Sequence, residues 1–259
     1  MIQNYGLLEG RRKDDYLAGS LAYVERAPDG DWTPYLPPGE WQRGTIDTMA
    51  CVTFSALNSI EAQYKLLTGQ FRNFSDRFTA RMSGTTAQGN WLFRVADSIR
   101  RDGLVDEAEW PTPPNFTWEE YYQHPPIESV DKGRLFLREW AVQYEWVDIT
   151  PESLEKHLKH APLQVTIPGH AVVNFFRNED IQRYFDSYDP FIKERTEPFL
   201  SAMKIVLSRK GMSEKEVRQL QALEGYKDES GVAFWTGKGI SEYLAARLPD
   251  KVKTINESL

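Results

Sequence analysis

Cys51 is the single cysteine of the chain, and it lies where a loop gives way to a predicted helix. Apolar residues recur after it at three- and four-residue steps, which predicts a helix from Cys51 to Gly69 with Asp47 or Thr48 as its N-cap. A cysteine in the first turn of a helix is close to free backbone N–H groups and to the positive end of the helix dipole, which favour the thiolate. The position suits a nucleophile, although a lone cysteine is also a common buried packing residue.

A nucleophilic thiol needs a base within hydrogen-bond reach and a third group that orients the base. His170 is the best candidate base, because it opens an apolar, strand-like run directly after Gly169. Asp186 comes sixteen positions later, at the end of another strand-like run, and is the candidate orienting group. The alternative for a histidine that opens a strand is a structural role.

The other histidines do not predict a metal site. His157 and His160 stand in the last turn of a short predicted helix, where partial positive charge suits the helix dipole. Neither a second cysteine nor a carboxylate stands at ligand spacing from this pair, so zinc is not predicted. His124 lies among prolines and is predicted to be a loop residue. No other cofactor is predicted.

Composition excludes several classes of protein. A chain of 259 residues, 41% of them hydrophobic, can bury a sizeable core. The net charge of -7 argues against a nucleic-acid binder, which would present a basic face. No apolar run approaches the roughly 20 residues that cross a bilayer, and the first residues lack the pattern of a secretory signal. One cysteine cannot form an internal disulfide, which suits a reducing cytoplasm.

The predicted elements follow the order helices, strands, helices, which indicates an α+β fold. We expect an N-terminal arm over residues 1–40, a catalytic core over 41–192 and a helical extension over 193–259, packed on or beside the core. The predicted elements between the arm and Pro190, besides the helix at Cys51, are a helix over 90–101, a strand over 143–149, a helix over 151–159 and strands over 163–167 and 170–176.

Several stretches resemble the papain-like cysteine peptidases, over about residues 42 to 190. "ACVTFSALNSIEAQ" resembles the active-site helix of that family, "WLFRVADSIRRDGLVDEAEWP" its next segment, and "VDITPESLEKHLKHAPLQVTI" the elements before its catalytic histidine. "GHAVVNFF" matches its histidine strand, and "FDSYDP" looks like a variant of its Asn-Ser-Trp-Gly. The resemblance implies a two-lobe fold, with a helical lobe led by Cys51 and an antiparallel β lobe that carries His170 and Asp186.

The resemblance also implies roles for these residues. It makes Cys51 the nucleophile, His170 the general base and then acid, and Asp186 the orienting residue where the family usually has asparagine. The family places a glutamine six positions before the cysteine to bind the oxyanion, but here that position is Thr45, and the nearest glutamine is Gln42, nine before. Either a longer loop brings Gln42 into place, or the backbone N–H of the cysteine acts with a different donor.

The activity that the resemblance implies is hydrolysis of peptide or isopeptide bonds in a peptide or protein substrate. The same Cys-His-Asp order also serves transglutaminase-like acyl transferases and cell-wall amidases. A third alternative is a structural protein that docks an assembly partner through residues 193–259. "DTMAC" and "DSYDP" resemble variants in proteins of bacteriophages and prophages, which implies the cytoplasm of a bacterial host or association with a virion.

Overall fold

Helix α1, Cys51–Thr68, is the central element of the structure, a computed structural model that describes residues 3–10, 24–178 and 181–210. Every residue from Cys51 to Gln63 is buried, so this part of the helix has no solvent face. Gly69 ends the helix in the left-handed conformation, with φ 74°, as predicted. The helix therefore passes through the interior and begins at the cysteine.

The predicted N-cap of α1 is wrong. Ala50 is the N-cap residue and makes no side-chain capping bond. The side chain of Asp47 instead accepts a hydrogen bond from the Met49 backbone, and the Thr48 hydroxyl donates to the Gln42 carbonyl. The side chains of both predicted caps thus form hydrogen bonds within the loop before the helix. These bonds stabilise the conformation of the loop.

Five further α-helices lie in the described part of the chain. Two were predicted: the helix predicted over 90–101 begins at Leu92, and the helix predicted over 151–159 begins at Pro151 with Thr150 as its N-cap. The other three were not predicted. The bounds are α2 Asp76–Ser83, α3 Leu92–Asp102, α4 Trp118–Tyr121, α5 Ile127–Glu139 and α6 Pro151–Leu158. None of the helices in the described ranges is long and apolar enough to cross a bilayer.

Six strands of the described ranges form one antiparallel sheet in the order β1-β6-β2-β3-β4-β5. The strands are β1 Trp140–Val147, β2 Leu163–Ile167, β3 His170–Asn178, β4 Ile181–Phe185, β5 Ile192–Arg195 and β6 Ser201–Arg209. Helix α1 packs on β2, β3 and β6, and α3 packs on β1. The α+β class and the antiparallel β lobe are as predicted.

The predicted helix after Pro190 is wrong where the structure describes this region. Residues Ser201–Arg209 form β6, which lies between β1 and β2 inside the sheet. Six consecutive residues of the strand are buried, so the sequence lacks the alternation that marks a half-buried strand. The domain boundary predicted at residue 192 falls at the start of β5, within the sheet. The helices predicted beyond residue 210 lie outside the described residues.

Residues 24–40, the later part of the predicted N-terminal arm, pack on the core. The backbone N–H groups of Arg26 and Ala27 both donate to the Lys159 carbonyl. The Trp32 side chain is fully buried, and its indole N–H donates to the Leu158 carbonyl at 2.6 Å. This segment is therefore fixed against the end of α6 rather than free in solvent.

Two leucines near β6 test its central position. Leu207 is completely buried, whereas Leu200, just before the strand, is 52% exposed. Leu207→Ala should lower the free energy of unfolding by about 2–5 kcal/mol through lost burial and the cavity left behind, and Leu200→Ala by about 0.5 kcal/mol or less. Urea unfolding measures both. Equal small losses would contradict the central position of β6.

Candidate active site

The pairing of β3 with β4 brings His170 and Asp186 together. Val173 pairs with Phe185, so Asp186 lies beside the start of β3 on the face that His170 shares. His170 Nε2 and Asp186 Oδ1 are 2.6 Å apart, and the two side chains are each 4% exposed. These two residues, chosen from the sequence, form a buried hydrogen-bonded pair.

Lys193 binds the second oxygen of the Asp186 carboxylate and was missed in the sequence analysis. Its Nζ donates to Asp186 Oδ2 at 2.7 Å from β5, whose pairing with β4 places the lysine there. Burial raises the pKa of Asp186, but the bonds from His170 and Lys193 outweigh burial and hold that pKa below its ordinary value. Asp186 is therefore ionised at neutral pH.

The ionised carboxylate determines which nitrogen of His170 carries the proton. A carboxylate only accepts hydrogen bonds, so Nε2 must donate to it, and neutral His170 then has an unprotonated Nδ1. Nδ1 is buried and has no hydrogen-bond partner among the described residues. A buried nitrogen without a partner is unfavourable. It is free to accept a proton from a group brought next to it.

Cys51 lies beside the start of β3, and its side chain is fully buried. The backbone of Ala171, the residue after His170, hydrogen-bonds to the thiol. Burial raises the pKa of Cys51 far above its ordinary value, and this bond only partly opposes it. The expected preference for thiolate is therefore wrong for this closed site, because desolvation outweighs the helix N-terminus.

The loop between Gln42 and Cys51 is longer than in the family pattern, and its extra residues form a turn. Arg43 and Asp47 make an antiparallel bridge, and the Thr48 backbone N–H donates to the Gln42 carbonyl at 3.3 Å. Gln42 is thereby carried to the site and is completely buried. Thr45, the other oxyanion candidate, is exposed within the turn.

Three groups fix the side-chain amide of Gln42. Its Oε1 accepts from the Ser187 hydroxyl at 2.8 Å, and its Nε2 donates to Asp47 Oδ1 at 3.0 Å and to the Tyr5 carbonyl at 2.9 Å. One N–H is therefore used by Asp47, and the other binds a carbonyl oxygen. Sequence reasoning gave neither Asp47 nor Ser187 this role, although Ser187 directly follows the candidate triad member Asp186.

Two tyrosines cover the imidazole. The ring centre of Tyr5 is 4.8 Å from that of His170, and the ring centre of Tyr188 is 5.7 Å from it. The Tyr188 hydroxyl donates to Asp47 Oδ2. Tyr188 stands where the family motif has tryptophan, whereas Tyr5 comes from the N-terminal segment and was not foreseen.

His157, in the last turn of α6, does not form the positively charged helix end that the sequence predicted. Lys204 Nζ donates to His157 Nδ1 at 2.9 Å. Burial, with the positive charge of Lys204, lowers the pKa of His157 to about 4, so His157 is neutral at pH 7. The expected positive charge at this position is therefore wrong. Within the described ranges, no group of three or more His, Cys, Asp or Glu residues could hold a metal ion.

Several solved structures that share this fold are cysteine proteases. Xylellain, a cysteine protease from Xylella fastidiosa, matches with a TM-score of 0.60 and 14% identity, over 78% of this chain and 95% of that chain. The Carica candamarcensis cysteine protease CMS1MS2, in complex with E-64, matches with a TM-score of 0.50 and 14% identity, over 68% and 96%. The proform of the ragweed pollen protease Amb a 11 gives 0.51 and 15%, over 75% and 69%.

No protein-family model and no curated protein sequence matches the chain. The likeness therefore rests on the path of the backbone, and it is a likeness of fold. The predicted papain-like fold is confirmed.

Replacing Lys193 tests the electrostatics of the pair. In Lys193→Gln the Asp186 carboxylate loses a charged donor, so its pKa should rise toward the ordinary value. A carboxyl group with a lowered pKa adds stability that is lost as pH falls through that pKa. The variant should therefore lose stability at a higher pH than the wild type in acid unfolding, with carbon-13 NMR of Asp186 as the direct readout.

Lys156→Gln is the matched control, because Lys156 is an exposed lysine on α6. This change should leave the Asp186 titration in place. An Asp186 titration that is the same in wild type and Lys193→Gln would contradict the assignment.

Proposed function

We propose that the protein is a cysteine peptidase-like hydrolase that cleaves peptide or isopeptide bonds. Cys51 is the nucleophile, His170 the base and then the acid, and Asp186 the residue that orients His170. One observation carries the proposal: the Asp186 carboxylate accepts a hydrogen bond from the Nε2 N–H of a buried histidine, His170, whose Nδ1 has no partner among the described residues. That is the arrangement a proton acceptor for a thiol needs.

Acylation begins with transfer of the thiol proton from Cys51 to His170 Nδ1. The sulfur attacks the carbonyl carbon of the substrate, and the electron pair of the C=O bond moves to oxygen. As this oxyanion collapses, the C–N bond breaks and the His170 imidazolium gives its proton to the departing amine. Asp186 stabilises the imidazolium throughout, because it stays ionised beside Nε2.

The oxyanion is held by the Gln42 amide and the backbone N–H of Cys51. Gln42 Nε2 already donates to a carbonyl oxygen, that of Tyr5, with the amide held by Asp47 and Ser187. A donor that is fixed before the reaction does not have to reorient as charge develops on the oxygen. Thr45 is not assigned this role because it is exposed in the turn.

Deacylation regenerates the free enzyme. His170 takes a proton from water, the hydroxide attacks the thioester carbon, and the C–S bond breaks to free the acid and the Cys51 thiolate. The His170 imidazolium then returns its proton to the sulfur. An amine in place of water would give the transglutaminase-like reaction. We propose that water accepts the acyl group, since hydrolysis requires no second substrate besides the peptide.

Less of the segment 193–259 than expected is available to dock an assembly partner. Residues Ile192–Arg195 and Ser201–Arg209 are strands of the sheet, so these parts of 193–259 serve the core. A peptide or protein substrate is the partner we propose. Bacteriophage origin and location in a host cytoplasm or virion stay predictions.

Hydrolysis of unfolded casein peptides tests the proposed activity, with new termini identified by mass spectrometry. Because Tyr5 lies against His170 and Gln42, the assay uses both the wild type and Gly6→Ala. The added methyl group would lie 1.9 Å from the Met49 carbonyl oxygen, so this variant should displace Tyr5 and its neighbours. Cys51→Ala in either background should abolish cleavage. His170→Ala should lower the rate by about 10²- to 10⁴-fold, the usual worth of general acid–base catalysis. His160→Ala, on a histidine outside the site, should leave the rate unchanged.

Two results would overturn this proposal. One is cleavage that survives Cys51→Ala. The other is absence of cleavage by Gly6→Ala although its thiol has become accessible to alkylation.

The acceptor is identified in water enriched in oxygen-18. A hydrolase should place one labelled oxygen in each new carboxyl group, even with millimolar glycine ethyl ester present. Incorporation of the ester amine in place of the label would show an acyl transferase and contradict water as the acceptor.

A further inference from the structure

The turn between Gln42 and Cys51 separates the two groups to which we assign the oxyanion, the Gln42 amide and the Cys51 backbone N–H. Thr48 closes the base of this turn, because its backbone N–H and its hydroxyl both donate to the Gln42 carbonyl, at 3.3 and 2.9 Å. A movement of Thr48 therefore shifts Gln42 relative to the start of α1. The contacts that hold Thr48 thus set the distance between the two donors.

The backbone of the turn is strained close to the nucleophile. Met49 directly follows Thr48 and has a positive φ of 54°, a left-handed conformation that residues with a side chain seldom adopt. Such a conformation persists only where the surrounding contacts fix it. One of these contacts lies inside the turn, where the Met49 N–H donates to Asp47 Oδ1 at 3.0 Å.

Tyr122 supplies a second contact, from outside the turn. Its hydroxyl donates to the Thr48 carbonyl at 2.6 Å, although the two residues are 74 positions apart in the sequence. Burial raises the pKa of Tyr122 far above its ordinary value, so the hydroxyl keeps its proton and remains a donor. Tyr122 therefore holds the peptide group that joins Thr48 to the strained Met49.

Tyr122 is itself fixed by its neighbours. Its backbone N–H donates to the Trp118 carbonyl, so it caps the C-terminal end of the short helix α4. The guanidinium of Arg77, which is buried, donates to the Tyr121 carbonyl at 2.9 Å and also to the Glu120 carbonyl. Helix α2, which carries Arg77, thereby holds α4 in place beneath the turn.

Apolar packing holds the outer part of the turn. A Cβ built on Gly44 would lie 2.7 Å from the Phe116 ring, so the backbone of the turn rests directly on that ring. Ile46 packs on the buried cluster that includes Phe116 and Tyr121. The segment around α4 therefore holds the turn by an apolar contact as well as by the Tyr122 hydroxyl.

We propose that Tyr122 is a positioning residue for the reaction, which through Thr48 sets the separation of the two oxyanion donors, Gln42 and Cys51. The inference rests on the proposed function of the same site, because it concerns how the oxyanion is stabilised. Donors stabilise the transition state only where they already stand at hydrogen-bond distance from the developing charge. A displacement of about 1 Å can cost about 10²-fold in rate, so a hydroxyl that does not contact the substrate can still limit it.

Tyr122→Phe tests the effect on Gln42 directly, since it removes the hydroxyl and keeps the ring. Without the bond to Thr48 the base of the turn should open more often, so the side-chain N–H groups of Gln42 should exchange with solvent about tenfold faster than in wild type. Nitrogen-15 NMR measures this exchange. The Gln42 signals are assigned by their loss in Gln42→Ala.

The kinetic readout is kcat and KM for a peptide taken from a casein cleavage site, in the background, wild type or Gly6→Ala, that cleaves casein. Tyr122→Phe should lower kcat about tenfold and leave KM within about twofold, because the oxyanion exists in the transition state and not in the bound substrate. The loss is smaller than the 10²- to 10³-fold typical of a missing oxyanion donor, since Gln42 is displaced rather than removed.

Tyr144→Phe is the matched control. The Tyr144 hydroxyl donates to Asp97 Oδ1 at 3.1 Å, and this bond joins β1 to α3 rather than to the turn. The two variants should lose similar stability in urea, since each loses a hydroxyl that donates to a partner inside the fold. Tyr144→Phe should leave the Gln42 exchange rate and kcat at their wild-type values.

Gly44→Ala is a second variant that acts on the turn from the opposite side. Its methyl group would overlap the Phe116 ring, which lies in the buried cluster and has little room to move. The overlap should push the turn away from α4. This variant should therefore show the same two effects as Tyr122→Phe, faster exchange of the Gln42 amide and a lower kcat.

Two results would overturn the positioning role. One is Gln42 exchange in Tyr122→Phe at the wild-type rate. The other is an equal fall in kcat for Tyr122→Phe and Tyr144→Phe, which would mean that lost stability alone lowers the rate. Faster Gln42 exchange in Tyr122→Phe, with no cleavage by wild type or Gly6→Ala, would support the positioning role and contradict the proposed hydrolase. Cleavage with unchanged kcat and unchanged exchange in Tyr122→Phe would do the reverse.

Discussion

The burial of α1 against the sheet is the constraint on which the site depends. From Cys51 to Gln63 the helix has no exposed residue, so it cannot turn or slide without exposing apolar surface or opening voids. Its first residue is therefore held at the start of β3, where Ala171 reaches the sulfur. The antiparallel partner of β3 ends at the same edge and supplies Asp186. Packing remote from the sulfur thus determines the positions of Cys51, His170 and Asp186.

Burial also sets the protonation of the closed site. Asp186 stays ionised because His170 and Lys193 supply donors that compensate for lost water. Cys51 has the backbone bond from Ala171, which offsets only part of the burial, and it stays a thiol. The site therefore holds a neutral thiol and an ionised Asp186 carboxylate that is hydrogen-bonded to His170. Water admitted to the site, for example in a variant that displaces Tyr5, would reduce the desolvation that keeps the proton on sulfur.

Features set by local signals could be predicted from the sequence, and features set by distant contacts could not. The start of α1, its glycine terminator and the bounds of β2 follow from periodicity and punctuation. Strand β6 was mistaken for a helix because burial on both faces removes alternation. The place of Gln42 depends on Ser187 and Tyr5, which are remote in sequence. The contact of Tyr5 with His170 could not be predicted either, because no local pattern around Tyr5 indicates so distant a partner.

The most direct test of the central claim, that sulfur and imidazole act as one unit, is thiolate absorbance at 240 nm against pH in the Gly6→Ala chain, with and without His170→Ala. With the imidazole present, thiolate should form well below pH 8.5, the ordinary pKa of a cysteine being about 8.5, because the thiol proton passes to His170. Without it, the titration should move to about pH 8.5 or above. The same titration in both chains would contradict the account.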